Sequence, residues 1–140
     1  MYRTRLYREQ HGRIRQLLQP LVSPSRDAVP ATILRTALAK VAGAVKMHLR
    51  DEDHDLYPAL LTSESPDVRA TATEFRETTG GLASSFSAFY EKWIRPGAID
   101  ARRSEFFSDA DVVLGALSRR MDLEDGTLYR LADGEAAPKD

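Results

Sequence analysis

Residues 48–60, HLRDEDHDLYPAL, decide how this chain is read. Leu34, Leu38, Val41 and Val45 precede the stretch, and His48 and Glu52 continue their three- and four-residue rhythm. That spacing places side chains along one face of an α-helix. The apolar stripe of a long helix therefore runs into an imidazole and then a carboxylate. An ionised carboxylate away from water is costly unless a cation, a metal or a hydrogen-bond donor meets it. Pro58 lacks an N–H and crowds the preceding turn, so the helix is expected to end or kink one residue before it.

A related stretch lies near the other end of the chain. RMDLEDGTLYRLA, residues 120–132, aligns with residues 48–60 so that Glu52-Asp53 meets Glu124-Asp125 and Leu56-Tyr57 meets Leu128-Tyr129. Their first positions differ, His48 against Arg120. The second stretch closes another helical stripe: Phe107, Ala110, Leu114, Leu117, Met121, Glu124 and Leu128. Two more run through Tyr7, His11, Ile14, Leu18 and Leu21, and through Val68, Ala72, Phe75, Thr79, Leu82, Phe86, Phe89 and Trp93.

No segment alternates apolar and polar residues over strand length, so the fold is expected to be all-α. Ser65 and Pro66 read as the N-cap and first position of the third helix, and Pro96-Gly97 as its close. Pro20 limits the first helix. Short connections make successive helices antiparallel neighbours, an up-down-up-down four-helix bundle. Gly80-Gly81 inside the third stripe weakens that helix by roughly 1 kcal/mol per glycine relative to alanine.

At 140 residues the chain is one domain, with the bundle over residues 1–132 and a flexible tail, DGEAAPKD, over 133–140. Twenty Lys and Arg against 21 Asp and Glu give no basic excess for a nucleic acid. No apolar run reaches the ~18 residues of a membrane span, and the first ten residues lack the apolar core of a secretory signal. The absence of cysteine excludes disulfides, thiol nucleophiles and iron–sulfur clusters. A cytoplasmic protein is expected, monomer or homodimer, with a protein partner rather than a membrane or nucleic acid.

The apolar stripes leave His11, His48, Glu52 and Glu124 at core-facing positions. His48 and Glu52, one helical turn apart, can converge on a single ion, and facing helices of a bundle are a usual place for such a site. Imidazole and carboxylate together suit iron, manganese or zinc. His54 falls off this stripe and reads as a surface residue, Phe75, Phe86, Phe89 and Trp93 read as core, and Arg3, Arg5, Arg8, Arg13 and Arg15 as a solvated face.

QHGRIRQLL (10–18), HLRDEDHDLYPAL and the late LEDGTLYRLA together resemble the hemerythrin-like, or HHE cation-binding, domain. The resemblance implies a four-helix bundle around an oxo-bridged di-iron centre, in a family that binds oxygen, nitric oxide or peroxide, senses iron or redox state, or regulates. It places His11 as the first-helix ligand, His48 and Glu52 as second-helix ligands, and Glu124 or Asp125 as the last-helix carboxylate. In the third helix Thr78 or Thr79, and then Leu82, stand where histidines would be, and Arg120 replaces a histidine in the last.

A guanidinium stays charged and cannot ligate a metal. Arg120, one turn before Glu124, can instead supply the positive charge that iron would bring, through paired Arg–carboxylate bonds. The expectation is a degenerate site, in a non-enzymatic regulatory or sensory module without a cofactor. The alternative is iron, mono- or di-nuclear, in an oxygen, nitric-oxide or redox sensor with an altered ligand set.

Overall fold

Every apolar stripe in the sequence is helical. The computed structural model describes residues 2–136, among which the ordered elements are all helices. They are α1 (Thr4–Val22), α2 (Ala31–Asp51), α3 (Tyr57–Leu61), α4 (Pro66–Thr79), α5 (Leu82–Trp93), α6 (Ala98–Ala101), α7 (Arg103–Leu123) and α8 (Tyr129–Ala136). A short 3₁₀ turn spans Arg26–Ala28. Helix α1 packs on α2 and α7, and α5 packs on the same two, so these four form a ring around the core. No described helix is long and apolar enough to cross a membrane.

Local sequence accounts for the helix limits. Ser65 caps α4 by accepting the Val68 N–H at 3.4 Å, with Pro66 in the first turn. Helix α1 continues past Pro20 to Val22, two residues beyond the expected limit. The third stripe is broken in two between α4 and α5. At the break a Cβ on Gly80 would press into the carbonyl oxygen of Arg76. Gly80→Ala is therefore expected to cost about 1–3 kcal/mol by overpacking. It should lower the urea midpoint with an unchanged slope, and an unmoved midpoint would mean the turn relaxes freely.

Pro58 does not end its helix. The chain widens into a π-turn over Glu52–Leu56 and resumes as α3, and an equivalent π-turn over Glu124–Leu128 joins α7 to α8. Arg130 stands where Pro58 does, so the second wide turn forms without a proline. The last helix also crosses the boundary expected at residue 133. Asp133 lies within α8 and accepts hydrogen bonds from the Thr4 hydroxyl and from Arg8 Nη1, the latter at 3.0 Å. Residues 137–140 of the expected tail lie outside the described residues.

The buried apolar residues fall into two clusters. The larger holds Ile14, Leu18, Val45, Leu49, Leu82, Leu117 and Met121 among others, and the smaller holds Tyr7, Leu56, Tyr57, Phe75, Leu128 and Tyr129. Along α1 the stripe passes from Tyr7 in the smaller cluster, through His11, to Ile14 in the larger. Glu52 lies between Leu49 and Leu56, and Glu124 between Met121 and Leu128, in the same way. A layer of buried polar groups thus separates two cores. The third stripe goes from Phe75 to Leu82 across this level, and that is where it breaks at Gly80-Gly81.

Candidate metal centre

The polar layer is built by three helices. Helix α1 brings His11, α2 brings His48, and the two π-turns open on Glu52 and Glu124. All four side chains are at most 1% exposed. One ligand atom from each lies within 4.8 Å of the others, a spread that a single ion can bridge.

The hydrogen bonds behind these groups fix which atoms face inward. His11 Nδ1 lies 2.9 Å from Asp125 Oδ1, and Asp125 is itself held by Arg15 Nη2 at 2.8 Å. His48 Nδ1 lies 2.6 Å from the side-chain oxygen of Gln10. Both partners accept, so each Nδ1 donates, and in His48, which burial keeps neutral, Nε2 then presents a lone pair. Those two Nε2 atoms face one another at 2.9 Å. His48 Nε2 is also 2.7 Å from Glu52 Oε1, and His11 Nε2 is 3.1 Å from Glu124 Oε1. No hydrogen-bond donor is aimed at the buried Glu52 Oε1. Two imidazole nitrogens and two carboxylate oxygens thus converge in one buried spot, an arrangement that a proton on Glu52 or a cation would satisfy. Outer acceptors orienting imidazoles in this way are what metal-ligating histidines carry.

Two tyrosines complete the layer. The bond closing each π-turn runs from residue i+5 back to residue i: the Tyr57 N–H donates to Glu52 O, and the Tyr129 N–H to Glu124 O. The wide turn thereby ties each tyrosine's backbone to its glutamate's carbonyl, and each hydroxyl reaches the opposite carboxylate. Tyr57 donates to Glu124 Oε2 at 2.8 Å and Tyr129 to Glu52 Oε2 at 2.5 Å. Tyr129 also lies 3.2 Å from His11 Nε2. Burial, and after it the Glu124 charge, push both phenols far above their ordinary range, so both stay protonated donors.

Arg120 fills the remaining side of the layer and is 1% exposed. Its Nε donates to Glu124 Oε2 at 3.1 Å and its Nη2 to Asp53 Oδ1 at 3.0 Å, with Glu52 Oε1 at 3.6 Å. The guanidinium also lies over the Tyr57 ring. Burial works against its charge, but Glu124, Tyr57, Glu52 and Asp53 outweigh that and raise its pKa further.

The two glutamates are driven apart. Burial and the neighbouring Glu124 raise the Glu52 pKa well above the carboxylate range. Burial also opposes ionisation of Glu124, yet hydrogen bonding with His11 and the Arg120 charge hold it low. Burial lowers His48 from 6.5 to about 4, which keeps it neutral. These shifts have opposite effects on stability. Between pH 6.5 and about 4 the unfolded His48 binds a proton the folded one does not, so its contribution is lost as pH falls. Above pH 4.5 the folded Glu52 holds a proton the unfolded one lacks, so its contribution is lost as pH rises. Wild-type metal-free protein should therefore change little between pH 6.5 and 4.5. Glu52→Gln removes one side of the balance and should expose a loss of up to about 3 kcal/mol on acidification to pH 4. Melts of both proteins across that range check it, and parallel curves would contradict the opposition.

Glu124, rather than Asp125, joins the buried donors, and Asp125 stands behind His11. Thr78 does not reach the layer: it is exposed, with its hydroxyl bonded to Glu74 O at 2.9 Å. Leu82 belongs to the larger apolar core, and His54 is exposed on a groove between α2 and α5. Expecting no cofactor is not supported, because His11, His48, Glu52 and Glu124 form a possible metal-binding cluster. Gln10, Arg15, Asp53, Tyr57 and Tyr129 were not among the candidate residues. The repeated Leu-Tyr, whose tyrosine lies five residues after each glutamate, was the available signal for the tyrosines.

Two imidazoles and two carboxylates, buried together in an all-α chain, form a cluster that could hold a metal ion. The family model described as the hemerythrin HHE cation binding domain matches residues 3–132, and the chain belongs to that family. No curated protein and no solved structure matches the chain.

Proposed function

We propose that this protein is a hemerythrin-like module with an incomplete centre, holding one iron ion at His11, His48, Glu52 and Glu124 and acting in regulation or sensing rather than catalysis. The observation carrying this reading is the convergence of the His11 and His48 Nε2 atoms, 2.9 Å apart, beside the buried Glu52 Oε1, which has no hydrogen-bond partner among the described residues. Imidazole and carboxylate donors suit iron. The ion would supply a redox-active charge in a layer enclosed by side chains. The chain's own residues hold that layer in place: Asp125 and Gln10 orient the imidazoles, and the tyrosines orient the carboxylates. With the four donors at most 1% exposed, little room is left beside them for a substrate of any size. That enclosure favours holding an ion and relaying its state to a protein partner.

The topology proposed with it is the antiparallel up-down-up-down four-helix bundle. It is supported by the ring of contacts among α1, α2, α5 and α7, and by His11 near the start of α1 meeting His48 near the end of α2. A second reading, an oxygen, nitric-oxide or redox sensor or carrier, is favoured by the same donor set.

Elemental analysis after anaerobic loading with Fe²⁺ tests the proposal. About one iron per chain is expected, bound more tightly as pH rises because the cation displaces the Glu52 proton. Metal far below one per chain at pH 7.5 would return the layer to a salt-bridged structural core.

A further inference from the structure

The two π-turn segments are related by more than sequence. Glu52 and Glu124 occupy equivalent places, and Tyr57 and Tyr129 cross-donate to them. His48 faces the glutamate four residues on at 2.7 Å, and Arg120 faces its own at 3.1 Å. Asp125 sits behind His11, while its counterpart Asp53 meets Arg120 Nη2. Under this approximate two-fold relation, the ground held by His48 and His11 on one side is held by a single guanidinium on the other. The chain has three histidines, and the third, His54, is exposed, so no imidazole is available for that second side.

We infer that Arg120 sets the number of cations the layer accepts: its guanidinium fills a second cation seat walled by Glu52, Glu124 and Asp53, limiting the protein to one divalent ion. The inference rests on the metal-holding reading above and specifies its stoichiometry and charge. Three carboxylates against one guanidinium leave two negative charges, since Asp125 is paired with Arg15. One divalent cation among His11, His48, Glu52 and Glu124 neutralises the layer. A second would have to displace a guanidinium bonded to two carboxylates and buried to 1% exposure. A merely structural arginine would leave no seat behind when removed. A seat filler would leave one.

Mn²⁺ tests this, because stoichiometry from equilibrium dialysis and the paramagnetic resonance spectrum are both independent of any activity. Wild type should take one Mn²⁺ per chain with the six-line spectrum of an isolated ion, and Arg120→Lys, which keeps the charge, should also take one. Arg120→His should take two, with the six-line signal lost to coupling between neighbouring ions. Arg120→Gln, shorter and uncharged, gives a second route to the same result where the histidine variant fails to fold. One Mn²⁺ on wild type and still one on folded Arg120→His and Arg120→Gln would overturn the inference alone. Two on wild type would overturn it directly. No Mn²⁺ on wild type would sink the metal-holding reading and this inference with it.

Discussion

Metal-free Arg120→Ala protein is expected to lose about 3–5 kcal/mol of stability, because removing one partner strands buried carboxylates. For a domain of this size that corresponds to a fall of roughly 10–15 °C in melting temperature. Glu124 would lose the Nε bond at 3.1 Å and Asp53 the Nη2 bond at 3.0 Å. Glu124 would also lose a cause of its low pKa, and since Glu52 already sits high the layer would have to bind more protons. The variant should accordingly be less destabilised at pH 5 than at pH 8. Divalent metal should restore part of the loss, because cations can then supply the missing charge. A melting temperature within 2–3 °C of wild type would mean that solvent reaches the layer and screens it.

Glu52→Gln should have the opposite signature. Cation binding is expected to weaken by at least about 100-fold, since second-shell losses alone cost 10–100-fold and Glu52 is a proposed ligand. Metal-free stability at pH 7 should stay unchanged or rise, because a neutral amide replaces a carboxyl that burial already disfavours in its charged form. Calorimetric titration with Zn²⁺ and melts without metal separate the two effects. The wild type should gain about 2.7 kcal/mol at a free metal concentration 100 times its Kd, and the variant almost none. Retained affinity in Glu52→Gln would move the site away from Oε1. A large metal-free loss would mean that Glu52 is ionised in the folded protein.

The parts of the structure that follow from periodicity were legible in the sequence. Stripes through Ile14, Leu18, Val41, Val45, Leu114 and Leu117 belong to one buried core, as three- and four-residue spacing requires. His11, His48, Glu52 and Glu124 were legible for the same reason: each interrupts an apolar stripe, and all are buried. What escaped depends on local departures from the α-helical period. Tyr57 and Tyr129 lie five residues past their glutamates, on another face of a regular helix. The π-turns shift that register, and both hydroxyls reach the buried carboxylates. The family resemblance left Glu124 and Asp125 both open, whereas the apolar stripe ran through Glu124, which is the buried one of the two. Thr78 or Thr79 was expected beside the site because the family resemblance places a third-helix histidine there. The break at Gly80-Gly81 leaves Thr78 outside, bonded to its own helix backbone. Gln10, Arg15 and Asp53 act through side-chain reach between helices, which spacing along one helix does not encode.

The separation of the two apolar cores has a consequence for how the molecule holds together. Between His11, Glu52, Arg120 and Glu124 the ends of the molecule are joined by charge and hydrogen bonds rather than by interdigitated aliphatic packing. Dispersion contacts are numerous and individually weak, so a packed core yields gradually. A small set of ionic contacts is sensitive to a single proton or electron. The smaller cluster around Tyr7, Leu56 and Leu128 is therefore coupled to the larger one through a joint whose stiffness is set by its charge state. Opening of that end need not await melting of the whole. An event confined to one buried ion would then be felt as a change in cooperativity between the two ends of the protein.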